Sequence, residues 1–330
     1  MKTVLITGGA GYVGSHCAKA FARAGWKVVV LDNLSRGWRE AVRWGPLVEA
    51  DIADGAAVKA AMELYRPDLV AHFAAYAYVG ESVSDPALYY RNNTAGTLSL
   101  LEAMRASGVT NVLFSSTCAS YGVPTRIPID ETHPQSPINA YGWSKMIIER
   151  MLEDFGKAYG LNSVALRYFN AAGCDPDGEI GERHEPETHA IPLVIQAALD
   201  PARPFTVLGT DFPTPDGSAV RDYIHVADLA AAHLLAGEML VAKGGTHVFN
   251  LGTGVGTSVL ELIDSVTRVY GSAPAVRLGP RREGDPARLV ASYAKAEAEL
   301  GWQPANSDMD FIIRTALDWF CGADRVARRA

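Results

Sequence analysis

The stretch Thr3-Val4-Leu5-Ile6-Thr7-Gly8-Gly9-Ala10-Gly11-Tyr12-Val13-Gly14 decides how this chain folds. Its first five residues read as a short buried strand, and the glycines that follow end it abruptly. A helical pattern then runs to about Ala24. Gly8, Gly11 and Gly14 have GxxGxxG spacing, a variant of the loop that joins a strand to a helix beneath a dinucleotide. Glycine is needed there because the backbone turns tightly, approaches a pyrophosphate closely and packs helix on sheet. The helix start at Tyr12 and Val13 offers free N–H groups and the positive end of the helix dipole. Glycine clusters also make plain turns, so the loop needs a partner. Asp32 ends the second apolar run, Trp26 to Leu31, at the roughly 20-residue distance where an acid binds both adenosine ribose hydroxyls. A carboxylate there repels a 2′-phosphate, which favours NAD over NADP. Asp51, after the third apolar run, reads the adenine edge or simply caps a helix.

Further apolar runs at Leu69–Phe73, Val112–Phe114 and Val164–Leu166 alternate with helical stretches such as Leu88–Arg105 and Ser144–Tyr159. Continuous apolar strands alternating with helices indicate a parallel sheet covered on both faces, and right-handed crossovers make it doubly wound. The expected fold class is α/β, a doubly wound parallel sheet of Rossmann type with a smaller C-terminal α/β domain. After Tyr168 the texture changes. Residues 171–190 show no period and read as a functional loop or domain junction. A strand near Thr206–Leu208 follows, then helices at Val226–Leu240, Ser258–Tyr270 and Asp308–Phe320. The expected division is 1–170, with the sheet completed by segments near 220–250, and 171–330.

With 330 residues, 48% of them hydrophobic and 20% charged, the chain can bury a large core. A net charge of −7 argues against nucleic acid as a partner. No uncharged apolar run reaches the roughly 20 residues that cross a bilayer, and the N-terminus runs straight into glycines rather than a signal peptide. Cys17, Cys118, Cys174 and Cys321 are far apart with no CxxC pair, so buried thiols and a cytoplasmic setting are expected.

Tyr141-Gly142-Trp143-Ser144-Lys145 places a phenol and an ammonium four residues apart, on one face if this segment is helical. A free tyrosine has a pKa near 10 and is a poor base, and a nearby cation lowers it toward the useful range. Ser115-Ser116-Thr117 ends a strand, where ligands of doubly wound sheets sit, so Thr117 and Tyr141 are expected to meet one substrate oxygen.

On these residues the chain resembles the extended short-chain dehydrogenase/reductase family, and within it the epimerases of the UDP-glucose 4-epimerase (UDP-galactose 4-epimerase) type. Further matching stretches are His72–Ala75, Val79–Ser82, Arg167–Asn170, Val220–His225 and Arg281–Asp285. The resemblance implies Tyr141 as acid/base, Thr117 as its hydrogen-bonding partner and Lys145 as pKa modifier and ribose ligand. It implies an NAD site of Gly8, Gly11, Tyr12, Val13, Gly14, Asp32, Asn33, Asp51, Ile52, Phe73, Ala74, Ala75, Asn92, Ser115, Tyr141, Lys145 and Tyr168. For the UDP-sugar it implies Ser116, Thr117, Tyr141, Asn170, His189, Leu208, Arg221, Arg282, Asp285 and Leu289. Two guanidinium groups suit a diphosphate, although Arg282 also has Asp285 near it as an ion-pair partner. The implied activity is NAD-dependent 4-epimerisation of UDP-sugars, interconverting UDP-glucose and UDP-galactose through a 4-keto sugar, with a homodimer as the working form.

Departures bear on the sugar. Ala77 stands where some hexose epimerases carry lysine, which keeps UDP-xylose/UDP-arabinose 4-epimerisation as an alternative. Thr117-Cys118-Ala119 lacks the Asp-Glu pair of the related dehydratases. A non-catalytic NAD-binding regulator is a further alternative, one that could dispense with Tyr141 and Lys145. His184-Glu185-Pro186-Glu187-Thr188-His189 is not HExxH, and Pro186 keeps an ordinary helix from aligning the imidazoles, so no metal is expected.

Overall fold

Strand β1 (Thr3–Thr7) is buried at every residue, as an apolar strand must be when helices cover both sheet faces. In the computed structural model, which describes residues 1–282 and 285–329 with side chains to Gly322, the strands continue with β2 (Lys27–Asp32), β3 (Leu47–Glu49), β4 (Leu69–His72), β5 (Asn111–Thr117) and β6 (Asn162–Tyr168). Then come β7 (Asn170–Ala172), β8 (Phe205–Leu208), β9 (Val220–Arg221), β10 (Tyr223–His225) and β11 (Thr246–Leu251). Seven of these form one sheet in the order β11-β6-β5-β4-β1-β2-β3, with every pair parallel. The chain winds outward in both directions from β1 and β4. At that reversal the loops leaving the strands diverge, and their carboxyl ends open a crevice.

Side chains alternate along β1. Val4 and Ile6 join a core with Cys17 and Phe21 of α1 (Tyr12–Arg23). Leu5 faces the opposite core, with Val58 and Met62 of α2 (Gly55–Tyr65). The expected helix at Leu88–Arg105 is broken. Short α3 (Val79–Ser84) and α4 (Pro86–Tyr89) lead into a wider-turned segment, Tyr90–Ala95, before α5 (Gly96–Ala106). That turn delivers Asn93, fully buried, to both the N–H and the carbonyl of Tyr76, a cross-link no periodicity announces. Helix α6 (Ala140–Tyr159) packs Ile148 and Leu152 on the Leu5 side.

The irregular segment begins with order: β7 pairs with β10, so Asn170 lies in a strand. Helices α7 (Ala190–Leu199), α8 (Val226–Lys243), α9 (Val259–Tyr270), α10 (Ala294–Leu300) and α11 (Met309–Arg329) complete the chain, the last running beyond the expected end at Phe320. Helix α8 covers the Val4 face with Leu229 and Ala236, while α7, α9 and α11 share a separate apolar cluster with Tyr223. Cys17, Cys118 and Cys174 are buried and form no disulfide. Among the described residues no helix is long and apolar enough to cross a membrane.

Burial pushes the imidazoles of His16, His225 and His233 down to about 4. His72, buried and also facing Lys145, falls to about 3. His225 must stay neutral at Nδ1 to accept the Ala227 N–H and cap α8. The unfolded chain takes up protons on these rings near pH 6.5, whereas the fold refuses them until far lower pH. Between about pH 6.5 and the folded-state values the unfolded state binds more protons, so these rings lose stability on acidification through that window. Calorimetry is expected to show the melting temperature falling from about pH 7 to about pH 5, with a shallower fall in His233→Gln. A flat profile over that window would contradict the neutral buried histidines.

Candidate active site

At the sheet reversal lies a cavity of about 800 Å³, within the range of small-molecule sites. One end is the glycine loop. Gly8 has φ +72°, and a Cβ there would sit 2.5 Å from the Ala74 nitrogen; at Gly14 it would sit 2.3 Å from the Gly8 carbonyl oxygen. Gly11, the N-cap of α1, brings no side-chain cap, so the first-turn N–H groups are left for a ligand. Tyr12 and Val13 line the same end.

Asp32 stands at the tip of β2, its carboxylate accepting from the N–H of Ala10 (3.0 Å) and of Leu34 (2.8 Å). Burial raises its pKa, and those two bonds oppose the rise. Asn33, Ile52, Phe73, Ala74, Ala75 and Asn92 also line the cavity. Asp51 does not. It accepts from the Asn33 side-chain amide and the Ala53 N–H, both at 2.8 Å, which makes it a turn-former behind Asn33. The chain can therefore hold a dinucleotide: a cradle that a Cβ would fill, an open helix N-terminus and a fixed acid at adenosine distance.

Strand alternation sorts the three hydroxyls of β5. Ser115 and Thr117 line the cavity. Ser116 faces away, fully buried, and donates to Glu149 at 2.5 Å, so the expected substrate contact is replaced by a structural one. Glu149 is also held by Arg167, whose Nε lies 2.9 Å from Oε1. Ser115 Oγ and the Tyr168 hydroxyl are 2.6 Å apart.

Asn139 caps α6 by accepting the Gly142 N–H at 2.8 Å, which sets Tyr141 in the first turn, on the cavity wall. Lys145 lies behind that wall, 2% exposed, with Nζ donating to the Ser115 carbonyl at 2.8 Å. Its Nζ is 5.9 Å from the centre of the Tyr141 ring. Burial pushes the phenol up to about 12; Cys118 adds to the rise and the Thr117 hydroxyl opposes it. Burial also pushes the Lys145 amine down to about 7, against the pull of Glu149. The lowered phenol expected from the Tyr-Lys spacing is thus not a property of the chain alone, because desolvation by burial dominates.

Asn170, His189, Arg221, Arg282, Asp285 and Leu289 also line the cavity. Arg221 pairs with Asp285 at 2.5 Å, and Asp285 meets Arg282 through its backbone N–H, which donates to the Arg282 carbonyl. Glu283 and Gly284 of that motif lie outside the described residues. Leu208 is not among the cavity residues; it ends β8, paired with Gly279. Sequence reasoning missed Arg36, whose guanidinium lies 5.1 and 5.0 Å from the ring centres of Tyr76 and Tyr78 and pairs with Glu81 at 2.6 Å. It also missed Glu182, which lines the cavity beside His184. Segment 171–190 is pinned to α1 by Tyr12, whose hydroxyl donates to the Gly173 carbonyl at 2.5 Å, and by Lys19, which meets Asp175, Asp177 and Glu179 at 2.6–2.7 Å.

Residues 4–252 match the NAD dependent epimerase/dehydratase family. A UDP-glucose 4-epimerase of Rhizobium leguminosarum bv. trifolii is 52% identical over 96% of this chain and 97% of that protein. Among solved structures, the UDP-glucose 4-epimerase from Brucella ovis in complex with NAD is 54% identical, covering 97% of this chain and 98% of that one with a TM-score of 0.95. The UDP-glucose-4-epimerase from Stenotrophomonas maltophila, with bound NAD and formylated UDP-arabinopyranose, is 37% identical over 99% and 100%, also with a TM-score of 0.95. With a match over most of its length and relatives about half identical, the chain belongs to the NAD dependent epimerase/dehydratase family.

Proposed function

We propose that this protein is an NAD-dependent UDP-sugar 4-epimerase, with UDP-glucose and UDP-galactose as its principal pair. The observation that carries this reading is one cavity lined by the glycine cradle and Asp32, by Tyr141 and Thr117, and by Arg221 and Arg282. The fold is read as residues 1–170 with β11 holding the dinucleotide, while 171–330 mainly receives the UDP-sugar.

Bound NAD supplies the hydride acceptor and donor for C4 and, when oxidised, a positive charge that favours the phenolate. Tyr141 takes the proton of the sugar 4-hydroxyl as C4 is oxidised and returns it when C4 is reduced from the other face. Thr117 orients that oxygen, and Lys145, fixed on the Ser115 carbonyl, stands behind the phenol. Arg221 and Arg282 grip the diphosphate, bidentate where geometry allows. The sugar needs freedom to present both faces, so firm binding belongs on the diphosphate rather than on the hexose.

Ala77, on the cavity wall, supports the pentose pair as the second reading, and product analysis with UDP-glucose, UDP-galactose and UDP-xylose separates the two. Leu289 brings a branched side chain to the wall and should crowd an acetamido group. The three buried thiols accord with a cytoplasmic setting. A homodimer is the expected assembly, since Leu98 on α5 and Trp143 on α6 leave apolar surface exposed.

Tyr141→Phe is expected to lower kcat by about 10²–10⁴-fold with the protein still folded and NAD-bound; unchanged turnover would point to another base. UDP-N-acetylglucosamine should turn over much more slowly than UDP-glucose in a coupled assay, and equal rates would defeat the reading of Leu289. Light scattering is expected to give twice the chain mass, whereas a monomer at all concentrations would rule out the dimer.

A further inference from the structure

Segment 171–190 carries two clusters of charged groups with different chemistry. Asp175, Asp177 and Glu179 already pair with the Lys19 ammonium, which occupies the place a cation would need, and with Arg23 and Arg43 at their edge. Glu182, His184, Glu187 and His189 form the second, and among the described residues Glu182 and Glu187 have only histidines as ion-pair partners.

Each of these four offers one ligand atom, and the atoms lie within 4.8 Å of one another. His184 Nδ1 is 3.3 Å from a Glu182 oxygen and 3.4 Å from a Glu187 oxygen. His189 Nδ1 is 3.2 Å from the same Glu182 oxygen and 2.8 Å from the other Glu187 oxygen. Charge-assisted hydrogen bonds are shorter than three of these, at about 2.7–2.9 Å. Tetrahedral zinc with bonds of about 2.0–2.2 Å spaces its ligands about 3.3–3.5 Å apart, close to those three separations. A second observation concerns direction: His184 Nδ1 is buried and aimed into the cluster, yet its contacts with Glu182 and Glu187 lack hydrogen-bond geometry.

The surroundings hold the ligands in place. His184 stands edge-on to Tyr12 and Tyr78, with ring centres 6.1 and 6.0 Å apart. Glu187 accepts from the N–H groups of Thr188 and His189 at 2.8 Å. The Glu182 carbonyl accepts from the Trp319 indole at 3.2 Å. Two carboxylates balance a divalent charge once the incoming cation displaces the proton that they hold on His184, and that donor set suits zinc rather than magnesium or calcium. Pro186 prevents the helix of an HExxH site, but a turn brings the same ligand types together without one.

We propose that Glu182, His184, Glu187 and His189 form a structural site for a zinc-class divalent cation, clasping the 182–189 turn onto the wall of the cavity. The cation would act on the position of the wall, not on the sugar. With Nδ1 of His189 engaged, only its Nε2 is left for a ligand in the cavity.

The test uses the untagged full-length protein. Elemental analysis is expected to find about one zinc per chain after growth with zinc, and a chelator should remove it and lower the melting temperature until zinc is restored. Cobalt added to the stripped protein should give the intense visible bands of a four-coordinate ion. In His184→Gln and in Glu187→Gln, cobalt binding should weaken by more than about 100-fold. The proposal is overturned if the wild type holds less than about a tenth of an equivalent and binds cobalt no more tightly than the variants. Should the variants fail to fold, stripping and reloading the wild type decides alone: a melting temperature that ignores both overturns it.

Discussion

The close approach of the Gly8–Gly14 loop to the neighbouring chain is the constraint on which the rest of this structure depends. A single methyl group at Gly8 would collide with the Ala74 backbone, and one at Gly14 with the Gly8 carbonyl. Because no side chain intervenes, α1 starts directly over the end of β1 and its first N–H groups face the crevice between β1 and β4. The same closeness brings Tyr12 to Gly173 and Lys19 to Asp175. One backbone approach thus creates the dinucleotide cradle and also anchors the segment that brings Glu182, His184 and His189 to the cavity.

A second layer of organisation comes from the two-residue period of β5. Ser115 and Thr117 project into the cavity, while Ser116 turns to the Glu149–Arg167 pair. That pair is almost wholly buried, with side chains 9% and 8% exposed. Removing one member of such a pair leaves an uncompensated charge, at a cost of about 3–5 kcal/mol. Glu149 lies one helical turn beyond Lys145 on α6, so the buried polar network and the tyrosine–lysine pair share one helix on one face of the sheet. Arg167 passes the connection on to Tyr121, and Tyr121 to Asn250 on β11.

Electrostatics at Tyr141 and Lys145 illustrates a competition between burial and charge. Each group is desolvated by the same packing that positions it, and desolvation disfavours the charged form of both. The phenol is raised and the amine lowered, so the chain prepares the geometry of proton transfer while leaving the charge to be completed by what it binds. This division suits a site that must be inert toward water until its ligands exclude it.

Local features carry far in a sequence when their physical reasons are themselves local. The strand–glycine–helix opening, the acid at the tip of the second strand and the tyrosine–lysine spacing depend on backbone freedom and helical period, and the residues alone disclose them. The parallel order followed from crossover handedness, including a late segment, β11, at the sheet edge. Which face each hydroxyl of β5 took depended on strand register, and Asp51 left the cavity because Asn33 engaged it. Leu208 lay outside the wall because β8 pairs with a different strand. Arg36, Tyr76 and Tyr78 meet across about 40 residues with no spacing rule to announce them. Glu182, His184, Glu187 and His189 converge through a turn rather than a helix. Sequence determined the sheet, the cradle and the chemical types of the groups; only the tertiary structure decided which of them face one another, because contact between distant segments is set by packing that no local period encodes.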